Sequence, residues 1–176
     1  MLLLRHRLPA DLITPLSAYL SLRGAGASLL LESCDLGERV GRHSFVLLDP
    51  GAELRLEPRA SGWPEALRAL AGATLDGDRL DPAGEVGPGR DPMPVGVGLA
   101  GYVGFEALAA LEPSLPLPAR NSLGLPSVWA RSYRGALVLD HLHQVAELQL
   151  LAEAGALPRL RPLPGRWRRA AARSRP

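Results

Sequence analysis

Apolar and polar positions alternate between two periods along this chain, and the switches between them mark its elements. Leu2 to Leu8 is an apolar-rich run with arginines at alternate places, the pattern of a first strand. Thr14 is a helix N-cap with Pro15 at the first helical position. Leu16, Tyr19, Leu20 and Leu22 then give the helix an apolar face, and Gly24 is expected to end it. Strands are predicted at Ser28–Ser33, His43–Leu48 and Ala52–Glu57. In the last, Leu54 and Leu56 alternate with Glu53, Arg55 and Glu57, the period of a half-exposed strand. Pro50-Gly51 is expected to turn the chain between the last two.

Pro64 opens a second helix over Glu65–Leu70, with Leu67 and Leu70 inward. Residues 72–94, rich in Gly, Asp and Pro, form a long loop. Val95–Tyr102 is a glycine-rich strand, Gly104–Leu111 a helical turn or two, and Leu115–Pro126 a connection. Ser127–Leu139 and Val145–Leu151 make a hairpin around Asp140 to Gln144. Many strands with few helices between them argue against a βαβ repeat. The fold class is α+β, a mostly antiparallel sheet covered by a few helices.

Composition changes this picture at one end only. The 176 residues are 47% hydrophobic, enough for a core, and aromatics at 5% leave that core to Leu, Val and Ala. All 20 basic residues are arginine. Residues 1–158 set 13 arginines against 18 acidic groups and carry −5, while the last 18 residues carry +7. Residues 1–157 therefore read as one domain, and residues 158–176, with seven arginines and four prolines, as a disordered basic tail. Arginine clusters can bind phosphate, but this one has no apolar period and no nucleic-acid partner is expected. Cys34 is the only cysteine, which excludes an internal disulfide and a cysteine zinc site and fits a cytoplasmic location. No run approaches the length of a membrane span, so no membrane partner is expected.

Several chemical motifs fail on their surroundings. Gly96 to Gly101 matches G-x-G-x-x-G, but Pro92 and Pro94 interrupt its approach and Arg120 to Ser122 stand where an acidic residue is needed. These glycines read instead as sites of close packing. His141 and His143 would share one side of a strand and lack a third metal ligand, with Asp140 on the other side. No metal site and no catalytic residue is assigned. The segment from Leu31 to Ser44 is different. Glu32 ends an apolar strand, where a carboxylate binds an ammonium group and Ser33 can donate or accept beside it. Arg42 and His43 open the next strand and complement a carboxylate. Together they suit a zwitterion such as an amino acid. An internal ion pair of Glu32 with Arg39 or Arg42 accounts for the same residues, and both readings stand.

The segment also carries a resemblance. Leu30-Leu31-Glu32-Ser33, Gly37-Glu38, Gly41-Arg42-His43-Ser44-Phe45 and Asp49-Pro50 are similar to the pattern L-L-E-S-x-x-x-G-E-x-x-G-R-Y-S-F-x-G-x-D-P of the N-terminal domain of the anthranilate synthase component I family. Thr14 to Leu20, Gly98 to Glu106 and Leu123 to Gln144 resemble three further family segments in the right order, and the likeness covers about residues 8–152. His43 stands for the usual tyrosine, Leu47 for a glycine and Ser127 for an aspartate.

The resemblance implies a regulatory domain in tryptophan biosynthesis, of a lyase that converts chorismate to anthranilate. It implies a tryptophan feedback site contacted by Leu31, Glu32 and Ser33, and less directly by Arg42, His43 and Ser44. It also implies two partners: a chorismate-binding catalytic domain or chain, and a glutamine amidotransferase subunit. The family's magnesium belongs to that catalytic domain, so no cofactor is expected in this chain, nor catalysis by it alone. The chain is expected to be truncated before that domain, as a solo domain or a gene fragment. The matching domain of aminodeoxychorismate synthase and a stand-alone amino-acid-binding module are the alternatives; the Thr14–Leu20 segment favours the anthranilate branch.

Overall fold

The computed structural model describes residues 2–32, 41–57, 60–75, 81–83, 93–116 and 123–152. Its strands are β1 (Leu2–Pro9), β2 (Ala27–Leu31), β3 (His43–Leu56), β4 (Asp81–Ala83), β5 (Gly98–Val103), β6 (Val128–Asp140) and β7 (Val145–Ala152). Two α-helices, α1 (Pro15–Leu22) and α2 (Trp63–Leu75), and 3-10 helices at Arg23–Ala25 and Phe105–Ala110 complete the described elements. The α+β expectation is met. The strands run β2-β3-β6-β7-β1-β4, with β5 pairing β6. The β2–β3, β6–β7 and β1–β7 pairs are antiparallel, and β1–β4 is parallel. The predicted tail and most of the predicted 72–94 loop lie outside the described residues.

The chain groups into two compact units. One takes its residues from Met1–Pro50, Asp78–Val97 and Tyr133–Pro176, the other from Gly51–Gly77 and Gly98–Ser132. In the first unit the sheet buries both faces, as strand alternation allows. Leu8, Val46, Leu48, Leu137, Leu139, Ala146 and Leu148 share one face with Ala18 and Leu22 of α1. The opposite face is partly polar. The register sets Arg7 opposite Glu147 and Arg5 opposite Gln149, with Val138 and Ala136 next along. Glu147 is only 2% exposed, and takes Arg7 Nε at 2.9 Å and Arg5 Nη1 at 3.4 Å. The Gln149 amide donates to Glu147 Oε1 (2.9 Å) and to the Pro94 carbonyl (2.8 Å), and its oxygen accepts the Gly96 amide at 2.7 Å. Gly96 has no room for a side chain, since a Cβ would stand 2.9 Å from both Ala136 Cβ and Val138 Cγ2. This polar clasp holds residues 93–97 as irregular backbone, so the glycine-rich strand begins at Gly98 rather than Val95.

In the second unit α2 packs on β5. The helix runs Trp63–Leu75, longer at both ends than the Glu65–Leu70 expected. Ser127 donates its hydroxyl to the carbonyls of Leu56 (3.1 Å) and Glu57 (2.9 Å), and its carbonyl accepts the Gly104 amide at 2.7 Å.

Three local expectations need correction. Pro50-Gly51 does not reverse the chain. β3 passes through it as one 14-residue strand, with the irregularity absorbed at Asp49, whose φ is 52°. Gly24 is not the helix stop. The Arg23–Ala25 turn follows α1, and Gly26, at φ 100°, closes it with its amide on the Arg23 carbonyl. The inward face of α1 is Pro15, Ala18 and Leu22, whereas Leu16 and Leu20 are more than half exposed. The 15-18-22 spacing is as helical as 16-20, and the small Ala18 allows the closer approach. Thr14 does cap α1: its hydroxyl accepts the Ser17 amide at 3.1 Å, and Ser17 reciprocates.

Candidate functional site

Sheet register gathers most of the predicted residues at one end of the first unit. β2 pairs β3 with Leu30 opposite Val46 and Leu31 opposite Phe45, so Glu32 follows beside the start of β3. Leu30 turns toward the α1 core; Leu31 therefore lies on the other face, 45% exposed. Glu32 is exposed. Ser33 lies outside the described residues. Arg42, His43 and Ser44 are all present where β3 begins, against the β6–β7 turn.

Asp140, the last residue of β6 and 2% exposed, organises this corner. Its Oδ2 takes Arg42 Nη2 at 2.8 Å and Nε at 3.1 Å, and its Oδ1 takes the amides of Leu142 (3.0 Å) and His143 (3.1 Å). His143 Nδ1 stands 3.0 Å from Oδ2 and 3.1 Å from Arg42 Nη2. Carrying a proton there, His143 donates to the carboxylate; lacking it, the ring accepts from the guanidinium. Burial opposes ionisation of Asp140, but the hydrogen bonds from Arg42 and His143 win and hold its carboxyl far below the usual range.

Two further contacts tie β3 to the turn. The His141 amide donates to the Arg42 carbonyl at 2.9 Å, and Ser44 Oγ, fully buried, stands 2.8 Å from His141 Nε2. His43 Nε2 is buried without a hydrogen-bond partner among the described residues, 3.7 Å from Asp140 Oδ2. Burial, followed by the opposing pull of Asp140 and the push of Arg42, His141 and His143, leaves the His43 imidazole less basic than usual.

Arg42 thus has its carboxylate, and the carboxylate is Asp140 rather than Glu32. Nothing near Arg42 in sequence signals this, because the partner is 98 residues away. The two turn histidines do not lie on a strand; residues 141–144 are the turn itself. Sequence reasoning also missed the Arg5–Arg7–Glu147–Gln149 clasp. Its signal was available: arginines two apart on one strand, and Glu and Gln two apart on another. Among the described residues, no group of three or more His, Cys, Asp or Glu side chains is arranged to hold a metal ion. No described helix is long and apolar enough to cross a membrane.

The second unit carries an open groove of about 420 Å³, lined by Leu67, Ala71, Leu99, Tyr102 and Trp129 among others. The Tyr102 and Trp129 rings stack there with centroids 6.2 Å apart. None of the predicted site residues lines it.

No family model matches the chain. Among curated proteins, it is 30% identical over 142 residues to a probable anthranilate synthase component 1 of Schizosaccharomyces pombe, covering 80% of this chain and 27% of that protein. It is 34% identical over 143 residues to the anthranilate synthase component 1 of Cereibacter sphaeroides, covering 76% and 28%. The Synechocystis protein of the same name is 35% identical over 115 residues, 61% of this chain and 22% of the relative. The chain thus spans between a fifth and three tenths of the length of these curated relatives.

Proposed function

Because this chain is a sequence relative of anthranilate synthase component 1, we propose that it serves as the N-terminal, effector-responsive portion of such an enzyme. The observation that carries this is the match itself, which takes in most of this chain and about a quarter of the relative. The whole enzyme converts chorismate and ammonia to anthranilate, in tryptophan biosynthesis. Its chorismate-binding region and glutamine amidotransferase are this chain's partners, and the chain does no chemistry alone. Incubation of the purified chain with chorismate, ammonia and magnesium yields no anthranilate fluorescence; a signal above background would refute that part.

The strand end bearing Leu31 and Glu32 is the chain's share of a tryptophan site. Glu32 offers an exposed carboxylate to the ammonium group, Ser33 follows it in sequence, and Leu31 offers apolar surface to the ring. Arg42, His43 and Ser44 form the frame behind them, because Arg42 is spent on Asp140 and the Ser44 hydroxyl on His141. Each absent contact worth about 1 kcal/mol weakens binding several-fold, so a share of a site binds weakly. Calorimetry with tryptophan tests this. Weak binding that Glu32→Gln abolishes is the expected result, and a flat titration at millimolar ligand removes the sensor reading.

A further inference from the structure

We infer that the junction of β3 with the β6–β7 turn is a pH-sensitive latch, closed while the His43 imidazole is neutral and loosened when that ring takes a proton. The inference does not depend on which ligand the strand end accepts.

The geometry sets up a competition for one buried carboxylate. Asp140 already receives four donors, two from Arg42 and two turn amides, and His143 Nδ1 stands 3.0 Å from Oδ2. A carboxylate has about four lone-pair sites, so its capacity is filled. His43 Nε2 faces it from 3.7 Å, beyond hydrogen-bonding range, with no other acceptor among the described residues. A neutral ring nitrogen tolerates that position better than a charged one, because burying an unpaired charge costs far more than burying an unpaired dipole. Protonated, the ring must either hold its charge beyond hydrogen-bonding reach of Oδ2 or displace Arg42 or His143 from it.

The charged and titratable groups acting on His43 come from each side. Asp140 at the end of β6 attracts the proton. Arg42, the neighbour of His43, repels it, as do His141 and His143 on the turn. Burial outweighs each of these and keeps the ring less basic than an exposed histidine, whose value is 6.5. The closed latch therefore binds fewer protons at His43 than the open one. Its stability is complete above pH 6.5 and declines as the pH falls through and below that value. The backbone reads out the same event. Displacing Arg42 moves the carbonyl that accepts the His141 amide.

Amide hydrogen exchange of the full chain, corrected for the intrinsic rate, tests the latch at the His141 amide between pH 8 and pH 5.5. Its protection is expected to fall about tenfold per pH unit between the open and closed midpoints of His43. Protection of the Asp49 amide, held by the Gly26 carbonyl, stays level. In His43→Gln, which cannot charge, His141 protection does not change with pH. Level protection of His141 in the wild type, an equal fall in the variant, or a parallel fall at Asp49 overturns the inference. If His43→Gln does not fold, the wild-type ring decides alone. A His43 proton titration with its midpoint below 6.5, coincident with the loss of His141 protection, supports the latch, and a midpoint at or above 6.5 overturns it.

Discussion

Gly101 lies where β5 crosses closest to β6, and it separates two explanations of a glycine-rich strand. A Cβ built there stands 2.0 Å from the Trp129 carbonyl oxygen and 2.6 Å from Ala130 Cα. A carbon–oxygen contact settles near about 3.3 Å, so the strands must part by more than an ångström. Both obstructing atoms are backbone, and no rotamer change relieves them. Overpacking alone costs about 1–3 kcal/mol. Loosening one or two ladder hydrogen bonds adds about 1 kcal/mol each, giving about 2–5 kcal/mol for Gly101→Ala. Gly72 is the control. It lies inside α2, exposed, with nothing within 4 Å of a built Cβ. Gly72→Ala should therefore stabilise by about 1 kcal/mol, the helix-propensity difference. Urea denaturation followed by tryptophan fluorescence, with Trp63 and Trp129 both in this unit, measures each change. A Gly101→Ala protein within about 0.5 kcal/mol of wild type would refute the packing argument and return these glycines to the status of a motif without a structural cause.

Glu147→Ala leaves Arg5 and Arg7 facing a cavity and should cost about 3 kcal/mol by denaturant titration; a cost near zero would mean that the clasp is ornamental. Asp140 ionises more readily folded than unfolded, so its share of stability is complete above the usual carboxylate value of 3.8 and vanishes as pH falls through the lower folded value. Acid titrations of the wild type and Asp140→Asn should therefore differ in slope below about pH 4, and parallel curves would contradict the assignment. Phe105 (67% exposed), Leu108 and Leu111 follow the three-residue spacing of a 3-10 helix. Sedimentation should show concentration-dependent self-association that Phe105→Ser with Leu111→Ser reduces; a monomer at every concentration counts against a sticky ridge.

Local chemistry was legible in the sequence, and long-range chemistry was not. Thr14 with Pro15 marks its helix start because capping uses atoms three residues apart. The alternation of Leu54 and Leu56 with charged neighbours survives in the structure because one strand face alone decides it. The Asp140–Gln144 turn is likewise set by the residues beside it. Pro50-Gly51 misleads because the same dipeptide serves a turn or an irregular strand, and the pairing of β3 with distant β6 chooses. Gly24 and Gly26 are equally able to adopt positive φ, and only the path of the chain into β2 selects Gly26. Arg42 has acidic residues close in sequence, yet among the described residues its carboxylate partner is Asp140.

That last exchange reassigns the roles within the strand end. A guanidinium hydrogen-bonded twice to a buried carboxylate is neutralised where it stands, and offers an incoming carboxylate little net attraction. The same contact leaves Glu32 without Arg42 as its counter-ion, at the exposed end of β2. On the proposed reading of this corner, Glu32 takes the ammonium end of the amino acid and Arg42 adds little at its carboxylate end. The six residues of the expected site separate by exposure and by prior commitment. Leu31 and Glu32 face outward, Arg42 and Ser44 are bound to the turn, and Ser33 falls outside the described residues. The His43 Nε2 has no hydrogen-bond partner among the described residues. It is a nitrogen held near a carboxylate that has no room for it, and a tyrosine, the residue that the resembling family usually has at this position, would not take up a proton there near neutral pH.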